Sequence, residues 1–170
     1  MKKTLLDLRP VSRTRRNHAL EHATIHVLSK KFSNVMLAGM SSPSGFTLIG
    51  DVSTEDVAEG AIEALRRLRE GQSELALHNK CGTNFAITGI AAGMAAWLGT
   101  LGSGKEIRRK LERLPLIILL ATIAIIATRP LGPLVQKEIT TDSDPGGLEI
   151  ERVETSIRLG MRMHRVITRG

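Results

Sequence analysis

The sequence predicts an α+β fold, a small split domain interrupted by a two-helix transmembrane hairpin. Three observations carry this. Two apolar segments lie mid-chain, helix and strand patterns flank them on both sides, and 170 residues suit one ordinary domain better than two. The expected organisation is a single domain over residues 1–170, with the hairpin at 83–129 between an N-terminal part (12–82) and a C-terminal β part (134–160).

The segment "TRRNHALEHATIHVLSKKF" reads as a helix, with Leu20, Ala23 and Val27 on one face and Ser12 or Thr14 as cap. "NVMLAGMSSPSGFTLIGDVS" reads as a β-hairpin around a Ser/Pro/Gly turn. "STEDVAEGAIEALRRLREG" is a second helix, capped by Ser53 or Thr54, acidic in its first turn and arginine-rich in its last. Beyond the hairpin, "LVQKEITTDSDPGGLEIERVETSIRLG" predicts two strands around Asp-Pro-Gly-Gly.

The membrane assignment rests on charge. From Cys81 to Gly104 no residue is charged, and a helix of that length covers roughly 36 Å, against about 30 Å of hydrocarbon. Leu114–Thr128 is more apolar but shorter. At roughly 22 Å it requires Arg129 to snorkel or "PLGPLV" to extend the span. Gly89 and Gly93, four apart with Ala92 and Ala96 beside them, suit close helix packing in lipid, within the hairpin, between copies as a homo-oligomer, or with a membrane-protein partner. The loop "KEIRRKLER" carries Lys105, Arg108, Arg109, Lys110 and Arg113. Two spans put both termini on the side opposite that loop, and because the flanks are basic too, charge does not fix the orientation. The single cysteine, Cys81, excludes an internal disulfide and favours a reducing compartment. The expected location is therefore the cell membrane, with the termini and the split domain cytoplasmic.

The net charge of +7 invites a nucleic-acid reading, but aromatics make up only 2% of residues and tyrosine is absent. Few base-stacking platforms exist, so the expected partner is a lipid bilayer and not nucleic acid.

Two clusters carry metal chemistry. His18 and His22 lie four apart on the first helix, close enough to share one ion. Glu21 completes His-x-x-Glu-His, the inverted zincin order, in which the carboxylate is the general base. His26 continues that face by a turn. "HNKCGTN" adds His78 and Cys81 across a two-residue gap, a spacing at which imidazole and thiolate can share one metal. His18, His22, His78 and Cys81 are thus candidate zinc ligands, and Glu21 a candidate catalytic base. His164, in the basic stretch "RLGMRMHRV", is expected to be solvated or lipid-facing.

"EHATI", "STEDV", "HNKCGTNF", the apolar hairpin and "LVQKEITT…DP…LEIERVETSI" together resemble the YqhQ-like bacterial membrane proteins, a family of unknown function. The resemblance runs from about Asn17 to Ile157. It aligns His18, Glu21 and His22, then His78, Cys81, Gly82 and Thr83, then Gln136, Thr140 and Thr141 with that family's motifs. This chain lacks the family's glycine-rich N-terminal portion and its further spans, and it inserts the Val35–Gly50 hairpin, as in a short branch. The resemblance implies a shared fold and site, and no activity. Three readings of the site follow. Four bound ligands give a closed, structural zinc centre, the favoured reading. Three ligands leave a water beside Glu21, as in a metal-dependent hydrolase. Cys81 with a histidine base gives a thiol-dependent enzyme. Gln136, Thr140 and Thr141 could supply hydrogen bonds around any of these.

Overall fold

A computed structural model describes residues 4–104 and 106–170. The chain divides into two compact units, Met1–His78 with Lys137–Gly170, and Asn79–Gln136. The α+β class holds: a four-stranded antiparallel sheet accompanies six α-helices among the described residues.

In the first unit, α1 spans Arg9–Lys31 and starts earlier than expected, with Leu8 at its cap and Pro10 in its first turn. Proline suits that place because its missing N–H has no partner there anyway. Ser12 and Thr14 therefore lie inside the helix, and Thr14 Oγ1 donates to the Pro10 carbonyl at 2.8 Å. The expected β-hairpin is present as β1 (Ala38–Ser42) and β2 (Gly45–Ile49). Helix α2 spans Thr54–Arg69, with the Ser53 hydroxyl accepting from the Asp56 N–H at 3.0 Å. Strands β3 (Glu149–Arg158) and β4 (Met161–Arg169) complete the sheet in the order β1-β2-β4-β3.

The stretch before Asp-Pro-Gly-Gly is a correction. No strand precedes that turn: Leu131–Val135 is helical (α6) and Gln136–Thr140 forms a π-turn, so both C-terminal strands follow it. Asp-Pro-Gly-Gly is a turn, with Asp142 and Asp144 side chains accepting from the N–H groups of Asp144 and Gly146 at 3.2 and 2.9 Å. The β-propensity of "EITT" gives way to tertiary contacts described below.

Helices α1 and α2 cover one face of the sheet. Leu20 and Ala23 of α1, Val57, Ala61 and Ala64 of α2, Phe46 and Leu48 of β2 and Val166 of β4 are fully enclosed. Gly60 lets the helices approach, since a Cβ there would lie 2.9 Å from Leu28 Cδ2.

His164 is a second correction, being fully buried rather than solvated. It sits on β4, an interior strand of the sheet, opposite Leu48 and Thr155 in register, and Thr155 Oγ1 lies 3.0 Å from its Nδ1. Burial lowers its pKa from 6.5, and the nearby Arg162 charge acts in the same direction, partly offset by the Val52 and Gly50 backbones. The unfolded chain therefore binds the proton first as pH falls. Stability from this group is complete above about pH 6.5 and declines as pH drops towards the lowered folded value. Melting temperatures across pH 5 to 8 (about one to two units either side of that titration) should fall on the acid side for wild type. The slope should be shallower for His164→Gln.

The second unit contains α3 (Gly82–Thr100), α4 (Ile107–Glu112), α5 (Leu114–Thr128) and α6. Helices α3 and α5 run antiparallel: a Cβ at Gly99 would meet Ile117 and Leu120, and one at Gly132 would meet Asn84. Those two glycines, rather than Gly89 and Gly93, bring the chain together within the hairpin. Gly89 and Gly93 face open space.

No single helix among the described residues is long and apolar enough to cross a membrane. Leu114–Thr128 with Leu131–Thr140 meets the requirement only as a pair bent by 52°. The physical reasons are plain: α5 is 15 residues long, and glycine, alanine and threonine dilute the apolarity of α3. In the loop, Arg108 pairs with Glu112 and Arg109 with Glu106, which offsets part of its positive charge. Lys105 lies outside the described residues.

Candidate metal centre

One face of α1 gathers the histidines. The His18 and His22 ring centroids are 4.3 Å apart, as residues one turn apart should be. His78 follows the turn Ser73–Ala76, and its ring lies 5.6 Å from His22 and 5.2 Å, edge-on, from His26.

Backbone carbonyls orient these rings. His22 Nδ1 meets the Ala76 carbonyl at 2.7 Å, His18 Nδ1 meets that of Thr140 at 2.9 Å, and His26 Nε2 meets that of Leu77 at 2.7 Å. A carbonyl can only accept, so each of these nitrogens carries the proton. A backbone carbonyl on the Nδ1–H is the arrangement that histidines binding a metal through Nε2 show.

The segment that supplies the Thr140 carbonyl is itself held through its neighbouring carbonyls. Arg15, three residues before His18, donates from Nε to the Ile139 carbonyl at 2.8 Å and from Nη2 to those of Glu138 and Thr141 at 3.2 and 2.9 Å. These bonds occupy carbonyls that a strand would have used, and they place Thr140 against His18. Thr140 thus serves the site through its backbone, and Thr141 is buried. Sequence reasoning missed Arg15, whose only signal was its place on the turn before His18.

Glu21 makes contact with β1. It is buried, its Oε2 accepts from Ser41 Oγ on β1, and its side chain occupies the space that a Cβ on Gly39 would need. Asn17 stitches the same helix to the sheet, donating to the Ser42 carbonyl and accepting from Thr168 Oγ1, both at 2.8 Å. Glu21, Gly39 and Ser41 thus form a joint between α1 and β1.

In the second unit, Cys81 caps α3 and its Sγ accepts from the Thr83 N–H at 3.4 Å. Gln136 is buried there, donating to Asn84 Oδ1 at 2.6 Å. His18, His22 and Cys81 are a set of residues that could hold a metal ion.

No solved structure matches this chain. An uncharacterized protein of Picosynechococcus sp. (strain ATCC 27264 / PCC 7002 / PR-6) is 34% identical over 166 residues, covering 86% of this chain and 74% of that protein. The family model for "Domain of unknown function (DUF6391)" matches residues 13–153. The chain belongs to that family.

Proposed function

We propose that this protein is a membrane-anchored module stabilised by one zinc ion, held by Nε2 of His18, Nε2 of His22 and Sγ of Cys81, with His78 as the fourth ligand. The carrying observation is that both α1 histidines give their Nδ1 proton to a backbone carbonyl. That sets the tautomer in which a metal would be bound through Nε2, and His18 and His22 belong with Cys81 to one set of residues that could hold an ion. Cys81 follows His78 by three residues, a tether of at most about 11 Å, and the His78 ring already touches His22. The Thr83 N–H at the start of α3 donates to the Cys81 sulfur. The ligands come from α1 and from the segment leading into α3, and the ion would be structural. Its role is then a scaffold.

The membrane reading rests on the uncharged α3 and on the exposed Phe85, Ile90, Trp97, Ile118 and Ile123 of the hairpin. Apolar surface of that kind calls for lipid or a partner. With α3 and α5 embedded, both termini share one side, here the cytoplasmic one. The open Gly89/Gly93 face is then available to a second copy. The finer kinship with the YqhQ-like proteins stays with this reading and rests on motif order.

A hydrolase is the second reading. It is favoured by the three-residue set His18, His22 and Cys81, which leaves a fourth position for water. Against it stands Glu21, whose carboxylate is engaged by Ser41. One comparison tests both. Detergent-purified wild type, Glu21→Gln and Cys81→Ser are assayed for zinc content and melting temperature. About one zinc per chain, lost together with thermal stability in Cys81→Ser, is the expected result. Absence of zinc from wild type after loading, with no effect of a chelator on melting, would remove the centre. Cobalt in place of zinc counts the ligands: a tetrahedral thiolate spectrum unchanged by His78→Ala would give the fourth position to water and so favour the hydrolase.

A further inference from the structure

We propose that the end of the sheet formed by the β3–β4 turn is a docking tip for an anionic phospholipid surface. The inference uses the first unit alone and is independent of the metal centre. Strands β3 and β4 pair through Arg158 and Met161 and are joined by Leu159 and Gly160, at φ +50° and +75°. Two positive φ values make this a type I′ turn, for which Asn-Gly is the favoured pair. Leucine is a poor occupant of the left-handed region, and here its side chain packs on nothing, being 96% exposed. A strained backbone carrying an exposed apolar side chain points to a use for that side chain.

Its neighbours fit the same use. Ile157, Met161 and Met36 are also exposed, and with Leu37 and Ile49 they line an apolar groove of about 650 Å³. On the sheet face turned away from α1 and α2, Arg158, Arg165, Thr47 and Ser156 line a second cavity of about 390 Å³. Among the described residues, Arg158 and Arg165 have no carboxylate within ion-pair distance. The nearby Arg162 and Arg169 each have one, and Arg152 has two. The Arg165 guanidinium is instead held by three hydroxyls, those of Ser42, Ser44 and Thr47, at 2.9, 2.7 and 3.2 Å. Glu154 also lines this cavity, but its carboxylate is bonded to Arg152. Unneutralised guanidinium groups beside hydroxyls suit a phosphate oxygen. An apolar tip flanked by such groups matches the boundary between acyl chains and anionic headgroups, and the net charge of +7 has the same sign.

The test uses the full chain with its one tryptophan removed (Trp97→Phe) and an indole placed at the tip (Leu159→Trp). The protein is mixed with vesicles of phosphatidylcholine alone or with added phosphatidylglycerol. With phosphatidylglycerol the indole emission should shift to the blue and be quenched by bromine on the acyl chains. Phosphatidylcholine alone, high salt or Arg158→Gln should abolish both effects. Leu159→Asn relieves the turn, so in the otherwise native chain it should melt at or above wild type while losing protection of the tip from added protease by anionic vesicles. An indole that stays equally accessible to aqueous acrylamide in both vesicle types overturns the proposal. So does an emission shift that tracks protein concentration without lipid, which would assign the tip to a second copy of the chain.

Discussion

His22→Ala should abolish metal binding and cost the fold heavily, because His22 is buried at 1% exposure and serves two partners. On one side its Nε2 is the proposed ligand. On the other its Nδ1 satisfies the Ala76 carbonyl at 2.7 Å, which the substitution leaves without its donor at a cost of about 1–3 kcal/mol. Loss of an ion bound at a hundred times its dissociation constant removes about 2.7 kcal/mol more. His26→Ala is the control. It removes a similar ring from the same face and a similar bond, to the Leu77 carbonyl, but no proposed ligand. Zinc per chain should fall from about one to near zero in His22→Ala and be unchanged in His26→Ala. Equal metal content in the two variants would mean that the histidine face does not hold the ion.

Gly39→Ala should have the next largest effect, through the joint between α1 and β1. The added Cβ would lie 2.3, 2.5 and 2.7 Å from Oε1, Cδ and Cγ of Glu21. Three successive atoms of a buried side chain cannot all be cleared by a small rotation, so Glu21 must change rotamer and leave Ser41. Overpacking of this kind costs about 1–3 kcal/mol, or about 2–4 °C of melting temperature per kcal/mol in a chain of this size. A double-mutant cycle isolates the cause. In a Glu21→Ala background the penalty of Gly39→Ala should largely vanish. A penalty of the same size in both backgrounds would place the problem in the strand itself and not in its contact with α1.

The fold was legible where the signal is local. Apolar spacing and terminal charges identify α1 and α2, and of the two cap candidates for α2, Ser53 and Thr54, the structure uses Ser53. The β1–β2 hairpin announced itself through Pro and Gly between two apolar runs. Illegible were the elements whose partners are distant. Strand β4 pairs with β2 across more than a hundred residues, and Leu-Gly is not a sequence that marks a type I′ turn, so "RLGMRMHRV" read as a tail. His164 was misplaced for the same reason: its burial follows from belonging to an interior strand and from nothing in its own neighbourhood. Residues 136–140 read as a strand because "ITT" favours one, and Arg15, binding three of the nearby carbonyls, decides otherwise.

The candidate site divides in the same way. The sequence by itself determined that His18 and His22 share one helix face, because a four-residue spacing is set by helical geometry, which is local. It also determined that Cys81 and His78 travel together, because three peptide bonds join them. Only the tertiary structure decided the tautomers, since these depend on carbonyls of Ala76 and Thr140 supplied from 54 and 122 residues away. Backbone acceptors leave no mark in a pattern of side chains. Only the tertiary structure, too, turned Glu21 towards Ser41 and Gly39. Residues adjacent on a helix point about 100° apart, so a carboxylate next to His22 in sequence faces β1, where a glycine makes room for it.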